Sequence, residues 1–159
     1  MRILVTGAYG QIGSELVPYL REKYGKENVV ATGRNIEKLK ELSEPYEILD
    51  VLDRKRLDEL IKEYDIDIIY HLAAILSARG EQNPQLCFQV NINGTYNVLE
   101  AARENGVEKV IIPSTIAVFG PETPDYPKEV TILRPRTMYG ISKVFTELAG
   151  EYYYSKYGL

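Results

Sequence analysis

Tyr139 and Lys143 stand four residues apart in Tyr139-Gly140-Ile141-Ser142-Lys143, a spacing that puts both on one face of a helix. A phenol is a poor base at neutral pH, and an adjacent ammonium favours its phenolate. With a hydroxyl at the substrate oxygen, supplied by Thr115 with Ser114 beside it, the set suits removal of an alcohol proton while hydride leaves the same carbon for a nicotinamide. Lys143 has the reach to hold a cofactor ribose hydroxyl as well. Tyr19/Lys23 and Tyr152/Lys156 repeat the spacing, and among thirteen tyrosines about one such match arises by chance. Those two pairs fall inside helical patterns, whereas Tyr139 opens one, so Tyr139 and Lys143 are the candidates. For Thr115 the competing reading is a strand-end hydroxyl bonded to backbone.

Such a set needs a cofactor beside it. Arg2 to Thr6 reads as a strand and runs into Gly7-Ala8-Tyr9-Gly10-Gln11-Ile12-Gly13, after which Ile12, Leu16, Val17 and Leu20 are spaced for one side of a helix. A helix start has amides without internal partners and the positive end of the dipole, so this turn is predicted to cradle a pyrophosphate. Gly7 suits the tight turn; Gly10 and Gly13 keep side chains away from phosphate and sheet, and Gln11 and Ile12 lie between them. The competing reading is an ordinary strand-to-helix turn.

Val29 to Thr32 is a second strand, followed by Gly33-Arg34-Asn35. A carboxylate at this turn would accept from ribose hydroxyls and select NAD. Glycine at 33 removes its repulsion and Arg34 can bond a 2′-phosphate, so the pattern leans to NADP; a solvated Arg34 is the plain alternative. A third strand, 45–49, ends at Asp50-Val51, with Asp50 a candidate acceptor for adenine and Asp53 a helix cap. A fourth, 67–71, ends at His71 and Leu72-Ala73-Ala74, small enough to let backbone lie against a dinucleotide. His71, the only histidine, reads more readily as a bonded structural residue than as a catalyst. A helix over 84–105, a fifth strand over 109–112, a proline-rich loop and a last helix from Thr137 or Met138 complete the pattern. On that last helix Ile141, Val144, Phe145, Leu148 and Tyr152 are spaced for one face.

Strands alternating with helices predict an α/β domain over 1–159, a doubly wound parallel sheet of the Rossmann kind. A formal net charge of −4, with scattered Lys and Arg, argues against nucleic-acid and membrane surfaces and for a small-molecule substrate. One cysteine excludes an internal disulfide, and one histidine leaves no His/Cys cluster for a metal. With no room before the first strand for a signal peptide, a cytoplasmic location is expected.

The glycine turn, Asp50-Val51, His71-Leu72-Ala73-Ala74, Val90-Asn91-Ile92-Asn93-Gly94-Thr95, Ser114-Thr115 and Tyr139-x-x-x-Lys143 together resemble the extended short-chain dehydrogenase/reductases. Ile75 to Ala78, Pro113 to Ile116, Val118 to Pro121, Arg134 to Thr137 and Glu151 to Tyr154 resemble more narrowly the L-threonine 3-dehydrogenases of that group. The resemblance implies NAD-dependent oxidation of the threonine hydroxyl to 2-amino-3-ketobutyrate. It implies Tyr139 as base, Lys143 on the nicotinamide ribose, Thr115 at the reacting oxygen and Ser77 near substrate; Ser114 is a further candidate at the substrate, and Asn91 of the Val90 to Thr95 stretch a candidate cofactor contact. It also implies a homodimer through the helices at 84–105 and 137–157. Resembling proteins carry aspartate where Gly33 stands and continue into a C-terminal substrate lobe absent from this chain. A nucleotide-sugar epimerase or dehydratase, and a non-catalytic NAD(P)-binding module, are the other readings the same residues allow.

Overall fold

A computed structural model describes residues 1–159. Five parallel strands, Ile3–Thr6 (β1), Val29–Gly33 (β2), Tyr46–Ile48 (β3), Ile68–His71 (β4) and Lys109–Ile111 (β5), form one sheet in the order β3-β2-β1-β4-β5. Thr6 is in register with Thr32 on one side and His71 on the other, so β1 and β4 end level and β2 runs one residue further, to Gly33. Chain direction across the sheet reverses between β1 and β4, and the loops leaving those strands diverge into a crevice.

β1 and β2 are buried along their whole length, and their alternate residues serve opposite faces. Ile3, Val5, Val29 and Ala31 pack with Val17 and Leu20 of Gly13–Tyr24 (α1) and Leu39 of Ile36–Glu41 (α2). Leu4, Val30 and Ile69 face the other way, onto Leu57, Leu60 and Ile61 of Arg54–Tyr64 (α3) and Val98 and Ala101 of Gly94–Glu104 (α6). Fully burying such a side chain contributes about 1.5–3 kcal/mol, so the central strands anchor the crevice floor. Asp53 caps α3, accepting from Arg56 N at 3.0 Å, as its position before the helix predicts.

The structure corrects the helical reading in several places. Ile12 is 57% exposed at the lip of the crevice, because it precedes α1 and belongs to the turn. Ser77–Gln82 (α4) is a helix that the apolar pattern did not signal. The segment expected as one helix over 84–105 is Pro84–Phe88 (α5), a π turn at Gln89–Asn93, and α6. Gly94 follows the π turn because Val51 packs on it: a Cβ there would lie 2.6 Å from Val51 Cγ2.

The largest correction is Met138–Tyr157 (α7). Its apolar residues Ile141, Leu148 and Tyr152 are 45%, 59% and 50% exposed, while Ser142, Lys143 and Thr146 are buried. These buried polar groups are all satisfied: Lys143 Nζ donates to Pro113 O at 2.7 Å, Ser142 Oγ accepts from Asn91 Nδ2 at 3.1 Å and donates within the helix to Tyr139 O at 2.7 Å, and Thr146 Oγ1 donates within the helix to Ser142 O at 3.0 Å. No helix is long and apolar enough to cross a membrane.

Candidate active site

The crevice floor is the glycine turn against the loop after β4. Gly7 has φ +67°, and a Cβ on it would lie 2.7 Å from Ala73 N and 2.9 Å from Leu72 C, so only glycine lets the two backbones meet. Gly13 does the same for α1, where a Cβ would lie 2.5 Å from Ala8 O. No side chain caps α1, and the amides of Gln11, Ile12 and Gly13 have no acceptor in the chain. Three donors at the positive end of a twelve-residue helix form a cradle for an anion.

Two lobes open from this floor and share Gly7, Gly10, Leu72 and Ala74. The first runs towards β2 and β3 between Leu49, Val51, Ala73 and Ile75, apolar walls suited to a flat ring. Arg34 and Asp50 stand at its rim, Arg34 Nη1 3.8 Å from Asp50 Oδ2, with Asp50 Oδ1 accepting from Leu52 N at 3.0 Å. The second lobe is lined by Gln11, Ile12, Gly13, Ser114, Tyr139 and Lys143 among others.

Tyr139 lies in the first turn of α7, which Thr137 caps by accepting from Gly140 N at 3.0 Å and Glu81 by accepting from Met138 N at 2.8 Å. The Lys143 ammonium is 6.0 Å from the Tyr139 ring centroid, and burial pulls its pKa below the ordinary lysine value. Ser114 Oγ donates to Glu147 of α7.

His71 is 2% exposed and bonded on both nitrogens, Nδ1 to Thr6 Oγ1 at 2.8 Å and Nε2 to Thr95 Oγ1 at 3.1 Å. Burial, with the Lys143 charge adding to it, lowers its pKa to about 3, so it is neutral at pH 7. This is the structural role that its strand-end position suggests.

Three sequence candidates are not brought to the crevice wall. Asn91 is buried behind it, accepting from Ile75 N at 2.7 Å and donating to Ile75 O at 2.9 Å and Ser142 Oγ at 3.1 Å, so its amide is consumed by the protein. Thr115 Oγ1 accepts from Ala117 N at 3.3 Å, the backbone-bonded geometry, and the residue lies outside both linings. Ser77, at the exposed start of α4, also lies outside them. Conversely, Tyr9 and Arg79 line the first lobe without having been singled out. Tyr9 occupies a variable position of the glycine pattern, and Arg79 sits on α4, whose sequence carries no apolar period.

The family model for the NAD dependent epimerase/dehydratase family matches residues 3–159. The chain belongs to that family. Among relatives, the mitochondrial L-threonine 3-dehydrogenase of Bos taurus is 46% identical over 99% of this chain and 43% of its own length. The solved L-threonine dehydrogenase of Phytophthora infestans superposes with a TM-score of 0.94 at 47% identity, over 100% of this chain and 51% of that one. The UDP-glucose 4-epimerase of Thermus thermophilus, solved in complex with NAD, gives 0.87 at 32% identity, over 100% of this chain and 52% of that one. The chain thus spans about half the length of the relatives it matches. The family's dinucleotide suits these residues: a floor that Gly7 lets close against Leu72 and Ala73, unpartnered amides at the start of α1, and an apolar slot beside them.

Proposed function

We propose that the crevice binds a nicotinamide dinucleotide and that the chain carries the cofactor-binding and proton-transfer residues of an oxidoreductase acting on the side-chain hydroxyl of L-threonine, yielding 2-amino-3-ketobutyrate. The observation that carries this reading is one lobe lined by the glycine turn, Tyr139 and Lys143 together. A bound nicotinamide would supply the hydride acceptor for the carbinol carbon. Tyr139 takes the hydroxyl proton, and Lys143 favours the phenolate that receives it. The Ser114-Thr115 pair supplies the hydroxyl at the reacting oxygen, and the Gln11 to Gly13 amides hold the pyrophosphate. The threonine substrate rests on the named relatives, two of which are threonine dehydrogenases.

At the adenosine end the absence of a carboxylate at Gly33, with Arg34 at the rim, favours NADP over NAD. The exposed Phe88 and Tyr96 of α5 and α6, with Ile141, Leu148 and Tyr152 of α7, offer an apolar face for a second copy of the chain. Sedimentation at rising concentration tests this homodimer, and Leu148→Lys should return it to monomer.

The catalytic reading is tested by titrating the chain with each dinucleotide and following dinucleotide reduction with threonine. Tyr139→Phe should keep cofactor affinity and lose turnover by about a hundredfold or more; unchanged turnover overturns the assignment. Likeness to an NAD-bound UDP-glucose 4-epimerase favours a second reading, in which the same residues oxidise a nucleotide sugar reversibly. Conversion of UDP-glucose without net dinucleotide reduction would put that reading first.

A further inference from the structure

Gly33 is not glycine for the sake of its backbone. Positive φ occurs at Gly7, Gly25, Gly106 and Gly158, and Gly33 is not among them. What the position lacks is room. A Cβ there would lie 2.3 Å from Cε1 of Tyr9, 3.0 Å from its Cδ1 and 3.2 Å from its Cζ. The ring of Tyr9, rising from the glycine turn, occupies the volume that a side chain at the end of β2 would fill.

Three contacts hold the ring there. Its phenol oxygen accepts from Arg34 N at 3.2 Å. Its body packs against the core cluster that β1, β2, α1 and α2 share. The Lys38 ammonium of α2 lies 5.5 Å from its centroid, a cation over a π face. The result is a neutral hydroxyl, bonded to the backbone of Arg34 and lining the first lobe, where a carboxylate at 33 would carry charge. The neighbouring carboxylates are engaged: Asp50 with Arg34, and Glu37 with Lys40 at 2.9 Å.

We infer that Tyr9 is the specificity-determining residue of the adenosine end: it excludes an acidic side chain from position 33, and its ring face holds the Lys38 ammonium, a second cation with Arg34 for a ribose 2′-phosphate. The inference rests on the dinucleotide reading of the crevice and deepens its preference for NADP. Specificity is then a property of a pair of positions, Tyr9 and Gly33, from two strand-end loops, and one exchange alone does not transfer it.

The test is a double-mutant cycle on the 159-residue chain, with NAD and NADP each titrated by calorimetry and folding followed by thermal melting. Gly33→Asp alone should weaken both dinucleotides by about tenfold, because the displaced ring enters the lobe. Tyr9→Ala/Gly33→Asp should recover NAD binding and prefer NAD to NADP. Lys38→Ala should weaken NADP severalfold and leave NAD unchanged. Additive effects of the two substitutions, or a clean switch to NAD in Gly33→Asp alone, would overturn the role of Tyr9. Equal affinity of the unaltered chain for NAD and NADP would instead overturn the NADP preference, and the cycle, read with NAD, would still decide whether Tyr9 and Gly33 are coupled. Tyr9→Phe, which keeps the ring and loses the hydroxyl, should retain the steric coupling and lose only the bond to Arg34.

Discussion

Lys143 donates to the carbonyl oxygen of Pro113 at 2.7 Å, tying the buried ammonium of α7 to the chain leaving β5. Desolvation lowers its pKa in the folded state. The sign follows directly. Below the lowered pKa both states carry the proton and the folded one bears the cost of burying it. Between the lowered pKa and the unfolded value only the unfolded chain is protonated, so this group makes stability rise with pH. Lys143→Met should therefore unfold in denaturant within about 1 kcal/mol of the unaltered chain at pH 7 and lack its alkaline gain, while binding dinucleotide more weakly. A variant several kcal/mol less stable at pH 7 would show that the ammonium is chiefly structural.

His71 titrates in the opposite part of the scale. With its folded pKa lowered to about 3 from 6.5, the unfolded chain alone takes up the proton between those values. Stability should fall as pH drops below about 6.5, by up to about 1.4 kcal/mol per pH unit from this residue, and level off near pH 3. His71→Asn should shift denaturant midpoints down at pH 7 and flatten this acid limb; an unchanged limb would assign it to the carboxylates.

Asn91 joins three elements, and its removal should be felt as stability before it is felt as chemistry. Asn91→Ala leaves Ile75 N and O without their partners in a buried place, for an expected loss of about 2–4 kcal/mol in urea unfolding. Asn91→Asp should cost nearly as much, since a carboxylate accepts from Ile75 N and cannot donate to Ile75 O or Ser142 Oγ. Full stability in either variant would mean that the loop after β4 is held by packing alone.

Thr115 and Ser114 compete for one role, and kinetics separate them. Thr115→Val should lower kcat/KM by about a hundredfold with little change in dinucleotide affinity if its hydroxyl meets the reacting oxygen. That outcome requires the bond to Ala117 N to be compatible with donation into the lobe. Unchanged activity in Thr115→Val, with the loss appearing in Ser114→Ala, would move the role to the hydroxyl that lines the lobe here.

The strands, the glycine turn and the convergence of Tyr139 and Lys143 were legible because each rests on a local rule: a short apolar run bounded by turn residues, a four-residue spacing, or a backbone that only glycine can adopt. Helix faces were not. On α7 the apolar stripe through Ile141 and Leu148 is the outer one, and the inner face buries Ser142, Lys143 and Thr146, which are satisfied by Asn91 of the π turn, by Pro113 O and by the helix's own Ser142 O respectively. Periodicity ranks faces by hydrophobicity, and here the ranking by available partners prevails. Tyr9 was invisible for a related reason: its meaning lies in a contact with Gly33, twenty-four positions away.

The five residues Gln89–Asn93 wind more loosely than their neighbours. A looser coil accommodates one amino acid more than the regular spiral, and each added residue turns the helix by roughly 100°. The segment therefore carries two independent phases: Asn91 is aimed at the loop below the crevice, and Val98 at the sheet. Deleting Ile92 would merge them into a single regular rod and swing one of the two out of place. Natural length variation should accordingly be tolerated in the proline-rich loop and refused here.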